Sequence, residues 1–345
     1  MQTAVVRRPF KVRALACYAS KTLGAVMRLV STLALLRAAP ASALAPIERR
    51  TLLKGAAAAS TISAAPALAK GSVGGPSVKL CDGTQFPVAS FGLQVYDDEA
   101  AYKYTTLALE CGYRNFFASV LAGNQKGFGK AVRNSGIPRD ELYICGSVLS
   151  NRARGEEAAF QSTKRGCDAN FRDLNIGKLD MIMLDYSGAG PPTRSSIQGQ
   201  WRGLENMRKD GGVTSLAVSN FSPQQLDVVL KSPGRCTVNQ LPLGVGYKTK
   251  QNAELLRENK KRSVLVQAWS PLRVLSSGAL SACAAVGKQY GKTPQQIALK
   301  WILAKGATYT CQTTSRQHFQ EDIDVFDFEL SAKDLAFLDG ENLVL

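Results

Sequence analysis

The side chains able to move protons or hold metals are few. The chain has a single histidine, His318, so no mechanism or metal site that needs two imidazoles is open to it. Of its eight cysteines, Cys17 lies near the start, and Cys81, Cys111, Cys145, Cys167, Cys236, Cys283 and Cys311 are scattered through the rest. None forms a Cys-x-x-Cys pair, so zinc and thioredoxin-like chemistry lack their spacing and no metal is expected. Most of these thiols read as small buried hydrophobes, and the seven beyond Cys17 are an odd number, which leaves at least one of them free in any compartment. The remaining acid–base candidates are the adjacent Asp185 and Tyr186, with Tyr96 further upstream. A carboxylate beside a phenol suits proton transfer. The plainer alternative is an Asp that caps a turn and a Tyr on a surface loop.

The elements that must position these groups alternate regularly. Apolar or β-branched runs recur at Pro87–Gly92, Tyr113–Phe117, Leu142–Ser147, Leu179–Asp185, Thr214–Ser219, Cys236–Gln240, Val264–Ala268 and Ala307–Cys311. Helical spacing fills the intervals; Phe160, Cys167, Phe171 and Leu174, for example, fall on one face. Eight strands alternating with helices predict a (β/α)8 TIM barrel, with chemistry at the C-terminal strand ends. No Gly-x-Gly-x-x-Gly follows the first strand, which makes a Rossmann domain the weaker fit. This places Asp185 at the end of the fourth strand and Tyr96 just past the first.

The charge is unevenly spread. Residues 1–70 carry eleven Lys/Arg against one acid, Glu48, so +10 of the formal net charge of +16 sits there. The body shows no Lys/Arg block, and nucleic acid is not expected as a partner. Residues 1–47 contain no acid and are rich in Arg, Ala, Ser and Leu, the composition of a transit peptide. Arg49-Arg50, a small-residue apolar run from Gly55 to Pro66, and Ala67-Leu68-Ala69 then resemble a twin-arginine export signal with its cleavage site. The expectation is a cleavable targeting leader over residues 1–69, routing a barrel of residues 70–345 to a plastid and on to the thylakoid lumen. Met27 to Pro46 could instead be a signal peptide of its own. The apolar runs are too short and too rich in Ala and Ser to span a bilayer, which takes about 20 strongly apolar residues. No transmembrane segment is expected in the mature chain.

Several short motifs fall in one order along the body. They are Asp82-Gly83-Thr84; Gly112-Tyr113-Arg114, with Gly123-Asn124 following; Ser135-Gly136-Ile137-Pro138-Arg139-Asp140-Glu141-Leu142; Val218-Ser219-Asn220-Phe221; Val238-Asn239-Gln240; Trp269-Ser270-Pro271-Leu272; and Tyr290-Gly291-Lys292-Thr293-Pro294. Together they resemble the aldo-keto reductases, from about Val78 to Leu345. The resemblance implies an N-terminal β-hairpin before the barrel, NADP(H) as cofactor, and carbonyl reduction by a phenol with a Lys, an Asp and a His. All four matching positions differ here. Phe117 takes the Asp position, Ala122 the Tyr, Ser147 the Lys and Asp185 the His. A general acid contributes roughly 10²–10⁴-fold, so the expectation is a barrel without the family's carbonyl reduction. No Tyr lies between Tyr113 and Tyr143, so no realignment restores the donor.

The resemblance also marks residues at the cofactor. Ser219, Asn220 and Gln240 match ligands of the nicotinamide carboxamide, Trp269 its stacking aromatic, and Ser270, Leu272 and Glu321 further contacts. Gln312 and His318 replace phosphate-binding cations, Asp322 replaces an Asn at the adenine, and Leu93 replaces a Thr in a way expected to crowd the nicotinamide. Cofactor binding is thus expected to be weak or absent. The functional expectation is a binding or structural protein of the lumen, attached to a membrane complex or holding a small apolar ligand. The alternative is an NADP(H)-dependent oxidoreductase with a site rebuilt on Asp185 or Tyr186.

Overall fold

The structure, a computed structural model, describes residues 75–340 except residues 152, 186–192, 248, 274 and 276. The predicted leader and Tyr186 lie outside the described residues.

A two-stranded hairpin, β1 (Ser77–Lys79) and β2 (Gln85–Pro87), comes first. Asp82 holds its turn by accepting from the Thr84 amide at 3.0 Å and the Thr84 hydroxyl at 2.7 Å, while Gly83 takes the left-handed φ of 95°. Asp82 Oδ2 also accepts from the Ser215 hydroxyl at 2.6 Å, and Phe86 meets Tyr143 edge to face. Both partners lie near the N-terminal ends of barrel strands, so the hairpin closes that end.

The barrel strands are β3 (Ala89–Gly92), β4 (Asn115–Ala118), β5 (Tyr143–Leu149), β6 (Leu179–Asp185), β7 (Val213–Ser219), β8 (Cys236–Pro242), β9 (Leu265–Trp269) and β10 (Thr308–Cys311). They form one closed parallel barrel in chain order, with β10 pairing β3. Each predicted run ends within two residues of a strand. The register explains their continuous apolar character. It places Phe117 beside Cys145, Cys145 beside Met181 and Met183 beside Ala217, all in the interior cluster. The alternate row, Phe116, Ile144, Ile182 and Leu216, is buried in the second cluster, towards the helices. Strands buried on both faces need not alternate with polar residues.

The connecting helices include α1 (Asp98–Glu110), α2 (Gln125–Asn134), α3 (Glu156–Leu174), α4 (Arg194–Lys209) and α5 (Pro223–Val229). Then follow α6 (Thr249–Lys260), α7 (Ser277–Tyr290), α8 (Pro294–Ala304), α9 (Arg316–Ile323) and α10 (Ala332–Leu338). The buried face of α3 is Ala159, Thr163, Cys167, Asn170 and Leu174. The predicted Phe160 and Phe171 are only half-buried, and the Arg202 guanidinium lies 4.3 Å from the Phe160 ring centre. Small residues turn the helix: α4 presses Gly199 and Gly203 against it. A Cβ at Gly199 would stand 2.0 Å from the Glu156 carbonyl oxygen, and one at Gly203 2.9 Å from Thr163.

Gly199→Ala must push two backbones apart, and a loss of about 2–3 kcal/mol in urea unfolding is expected. A change below about 0.5 kcal/mol would contradict this packing.

Candidate functional site at the barrel mouth

The C-terminal strand ends converge on one carboxylate. Asp185 ends β6 and is 7% exposed. The Ser119 hydroxyl, just past β4, donates to its Oδ2 at 3.2 Å, and the Ser219 hydroxyl, at the end of β7, donates to its Oδ1 at 3.0 Å. Asn220 Nδ2 donates to Ser219 Oγ at 2.8 Å, and Trp269 Nε1 donates to Asn220 Oδ1 at 3.0 Å. Donors from three strand ends thus run one way and finish on Asp185, at the end of a fourth. Asn220 adopts φ 58°, a left-handed conformation that Asn tolerates. Burial pushes the Asp185 carboxyl above the usual carboxylate range, against the pull of the two serines. Asp185 is therefore neither a turn cap nor an open base.

The other positions matched to the reaction are also absorbed into the fold. Phe117 is 2% exposed and shares the interior cluster with Cys145, Met181 and Met183. Ser147 Oγ accepts from the Val120 amide at 3.0 Å, and Asn170 Nδ2 donates to the Ser147 carbonyl. Ala122 sits in the turn after β4, where its amide donates to the Ser119 carbonyl at 3.3 Å. Its methyl group cannot donate a proton. Tyr96 is a strut: its buried hydroxyl donates to the Thr313 carbonyl at 3.0 Å, and burial pushes its pKa up. Leu93 belongs to the helix-side cluster with Phe91 and Phe116 and is fully buried there, so it does not crowd the mouth as expected from the sequence. It follows the inward-facing Gly92 and points to the other side of the barrel wall.

Ser219, Asn220, Gln240 and Trp269 do come together at the mouth. Their hydrogen-bonding groups are used within the protein. Gln240 Nε2 donates to Gln267 Oε1 at 2.9 Å, and the Gln240 carbonyl accepts from the Asn220 amide at 2.9 Å. Ser270 takes φ 48°, Leu272 packs on the interior cluster, and Glu321 on α9 accepts from Gln317 at 2.7 Å. The phosphate end does not fit an NADP(H) 2′-phosphate. Gln312 is exposed and donates to Gln94, and His318 is exposed near the Thr313 hydroxyl. Arg316, the cation of α9, pairs with Glu110. Asp322 is 4% exposed, and burial pushes its carboxyl up to about 7.

Ser119 and Gln267 went unread in the sequence, and Asn124 was read only as part of a motif. Strand parity could have found Ser119, since residues 115, 117 and 119 share the inward side. Asn124 is fully buried and donates to the carbonyls of Leu93 and Tyr96 at 2.7 and 2.8 Å. The Gly123-Asn124 pair therefore has a structural use of its own, tying the β3–α1 loop to the barrel.

The chain matches the aldo/keto reductase family over residues 85–342 and belongs to that family. An aldo-keto reductase of Mycolicibacterium vanbaalenii is 30% identical over 266 residues, covering 77% of this chain and 91% of the relative. One from Mycolicibacterium smegmatis is 28% identical, covering 76% and 91%. Among solved structures, an aldo/keto reductase from Brucella melitensis superposes with a TM-score of 0.68 at 26% identity, over 78% of this chain and 99% of that one. A Bombyx mori aldo-keto reductase in complex with NADP shares the fold, with a TM-score of 0.68 at 19% identity over 79% and 94%.

Asp322 supplies a pH signature. Its folded pKa lies above the ordinary unfolded value of about 3.9, so burial penalises folding once the unfolded chain ionises. The penalty is absent below about pH 4, grows through the acid range, and is complete above about pH 7. Asp322→Asn should therefore stabilise the fold at pH 8, by up to about 4 kcal/mol, and leave it unchanged at pH 4. Urea unfolding at the two pH values checks this; equal effects at both would contradict it.

Proposed function

We propose that this family member no longer reduces carbonyls by the phenol route and acts as a binding or structural protein. The observation that carries the reading is the filling of the four mouth positions. Phe117, Ala122 and Ser147 cannot cycle a proton near neutral pH, and both oxygens of Asp185 are held by serines. NADP(H) binds weakly or not at all in this reading. The carboxamide ligands must give up partners to receive it, Gln312 and His318 replace two cations, and the nearby Arg316 pairs with Glu110.

Residues 1–69 are, in the same reading, a cleaved leader that delivers the barrel to a plastid and its thylakoid lumen, where no nicotinamide cofactor pool is expected. There the barrel attaches to a membrane protein complex or takes a small apolar ligand against Trp269. Among the described residues no helix is long and apolar enough to cross a membrane, and no group of three or more His, Cys, Asp or Glu could hold a metal.

A second reading, an NADP(H)-dependent oxidoreductase of aldehydes or ketones with a rebuilt site, is favoured by the relatives, which carry reductase names. Titration of the full chain with NADPH, read by Trp269 fluorescence, separates the two. Binding at least a hundredfold weaker than that of the Brucella melitensis protein, measured alongside, is expected from the lost charge-assisted contacts. Comparable affinity would favour the oxidoreductase. A fluorescent fusion found outside the plastid would overturn the address and leave the barrel's chemistry untouched.

A further inference from the structure

The hairpin that closes the N-terminal end of the barrel is short. Its two strands have three residues each, and a two-stranded hairpin is marginal in water unless something outside it holds it. Its turn is fixed from within. The Leu80 amide donates to the Thr84 carbonyl at 2.8 Å, and the Gly83 amide to the Leu80 carbonyl at 3.0 Å. Two consecutive residues of this turn meet the barrel. Asp82 accepts from the Ser215 hydroxyl near the start of β7. Cys81 Sγ lies 3.7 Å from the carbonyl oxygen of Cys236, the first residue of β8. The two contacts agree in register, because Cys236 pairs with Leu216, the neighbour of Ser215.

The turn thus sets one thiol against the residue that carries another, 155 positions along the chain. Both are free thiols, and they differ in access. Cys81 is half-buried, within reach of a dissolved reagent. Cys236 is buried, and its Sγ donates only a weak sulfur contact to the Val238 carbonyl at 3.5 Å. Burial pushes the Cys236 thiol up, and the neighbouring Cys81 pushes it further, as two sulfurs lying close together would. Burial also raises the Cys81 thiol; Asp82 adds to this and Arg235 draws it back. An accessible thiol beside a sheltered one suits a two-step exchange, in which the first takes up a reagent and the second displaces it.

We propose that Cys81 and Cys236 are a dithiol–disulfide pair that latches the hairpin to β8. The oxidant is a low-molecular-weight disulfide. Cys81 Sγ, as the thiolate, attacks one sulfur of it. The reagent's S–S bond breaks, and its other half leaves and takes up the proton that Cys81 gave up. Cys236 Sγ then turns from Val238 and attacks Cys81 Sγ in the mixed disulfide. The Cys81–Cys236 bond forms, and the second half of the reagent leaves with the proton of Cys236. The two cysteine sulfurs lose two electrons, and the reagent's two sulfurs gain them. In the linked form the hairpin is held over the barrel end covalently. In the dithiol form it is held by contacts such as those to Ser215 and Tyr143. The latch lies at the opposite end of the barrel from the mouth and does not depend on the reading given for it.

The test is to incubate the folded full chain with oxidised glutathione at about pH 8.5, where more of the raised thiols ionise. Remaining thiols are then blocked and the peptides mapped by mass spectrometry without reduction. A peptide joining Cys81 to Cys236 is expected in the unaltered chain. In Cys236→Ala, Cys81 should instead carry glutathione. The urea midpoint of the linked protein should lie above that of the reduced protein, because the cross-link restrains the unfolded chain. In Cys81→Ser, a half-exposed change, oxidation should leave the midpoint where it was. Cys81 that stops at the glutathione adduct in the unaltered chain, stays unmodified or joins any other cysteine would overturn the pair. An unchanged midpoint in the linked protein would overturn the latch.

Discussion

A carboxylate closed inside a barrel mouth needs either a cation or enough hydrogen-bond donors to hold it. Among the described residues Asp185 is held by two serines. From that requirement the arrangement of the mouth follows. Ser119 must stay on the inward row of β4 and Ser219 on that of β7. Asn220 must turn through a left-handed backbone to reach Ser219, and Trp269 is fixed by Asn220 in turn. The four strand ends are coupled through one acid.

The same requirement bears on the uncharged residues Phe117 and Ser147. An unpaired Lys at residue 147, or an unpaired carboxylate at 117, would be a buried ion without its partner, which costs several kcal/mol. Here a phenyl ring continues the interior core and a hydroxyl ties down the Val120 amide. Ser219, Asn220 and Trp269 spend polar groups on one another at the mouth.

Much of this was legible in the sequence. All eight barrel strands could be read because both of their faces are buried, and continuous apolar runs mark them regardless of side. The hairpin and the family came from ordered motifs. Three things were not legible. The buried face of α3 was misplaced because Gly199 and Gly203 on α4 decide how closely the helices approach, and that contact lies between helices. Leu93 was placed at the mouth because matching a position does not tell which side of the wall a residue faces just past a strand end. Asp185 was taken for a turn cap or a free base because its two serines lie 66 and 34 residues away.

The most direct test of the account is turnover. NADPH oxidation with a panel of aldehydes should be followed for the full chain and for Asp185→Asn, with the Brucella melitensis protein as the positive control. The account predicts no reduction above the enzyme-free rate for either form of this protein. Reduction by the unaltered chain at a rate near the control's, lost in Asp185→Asn, would contradict it and would make the buried acid a working proton donor.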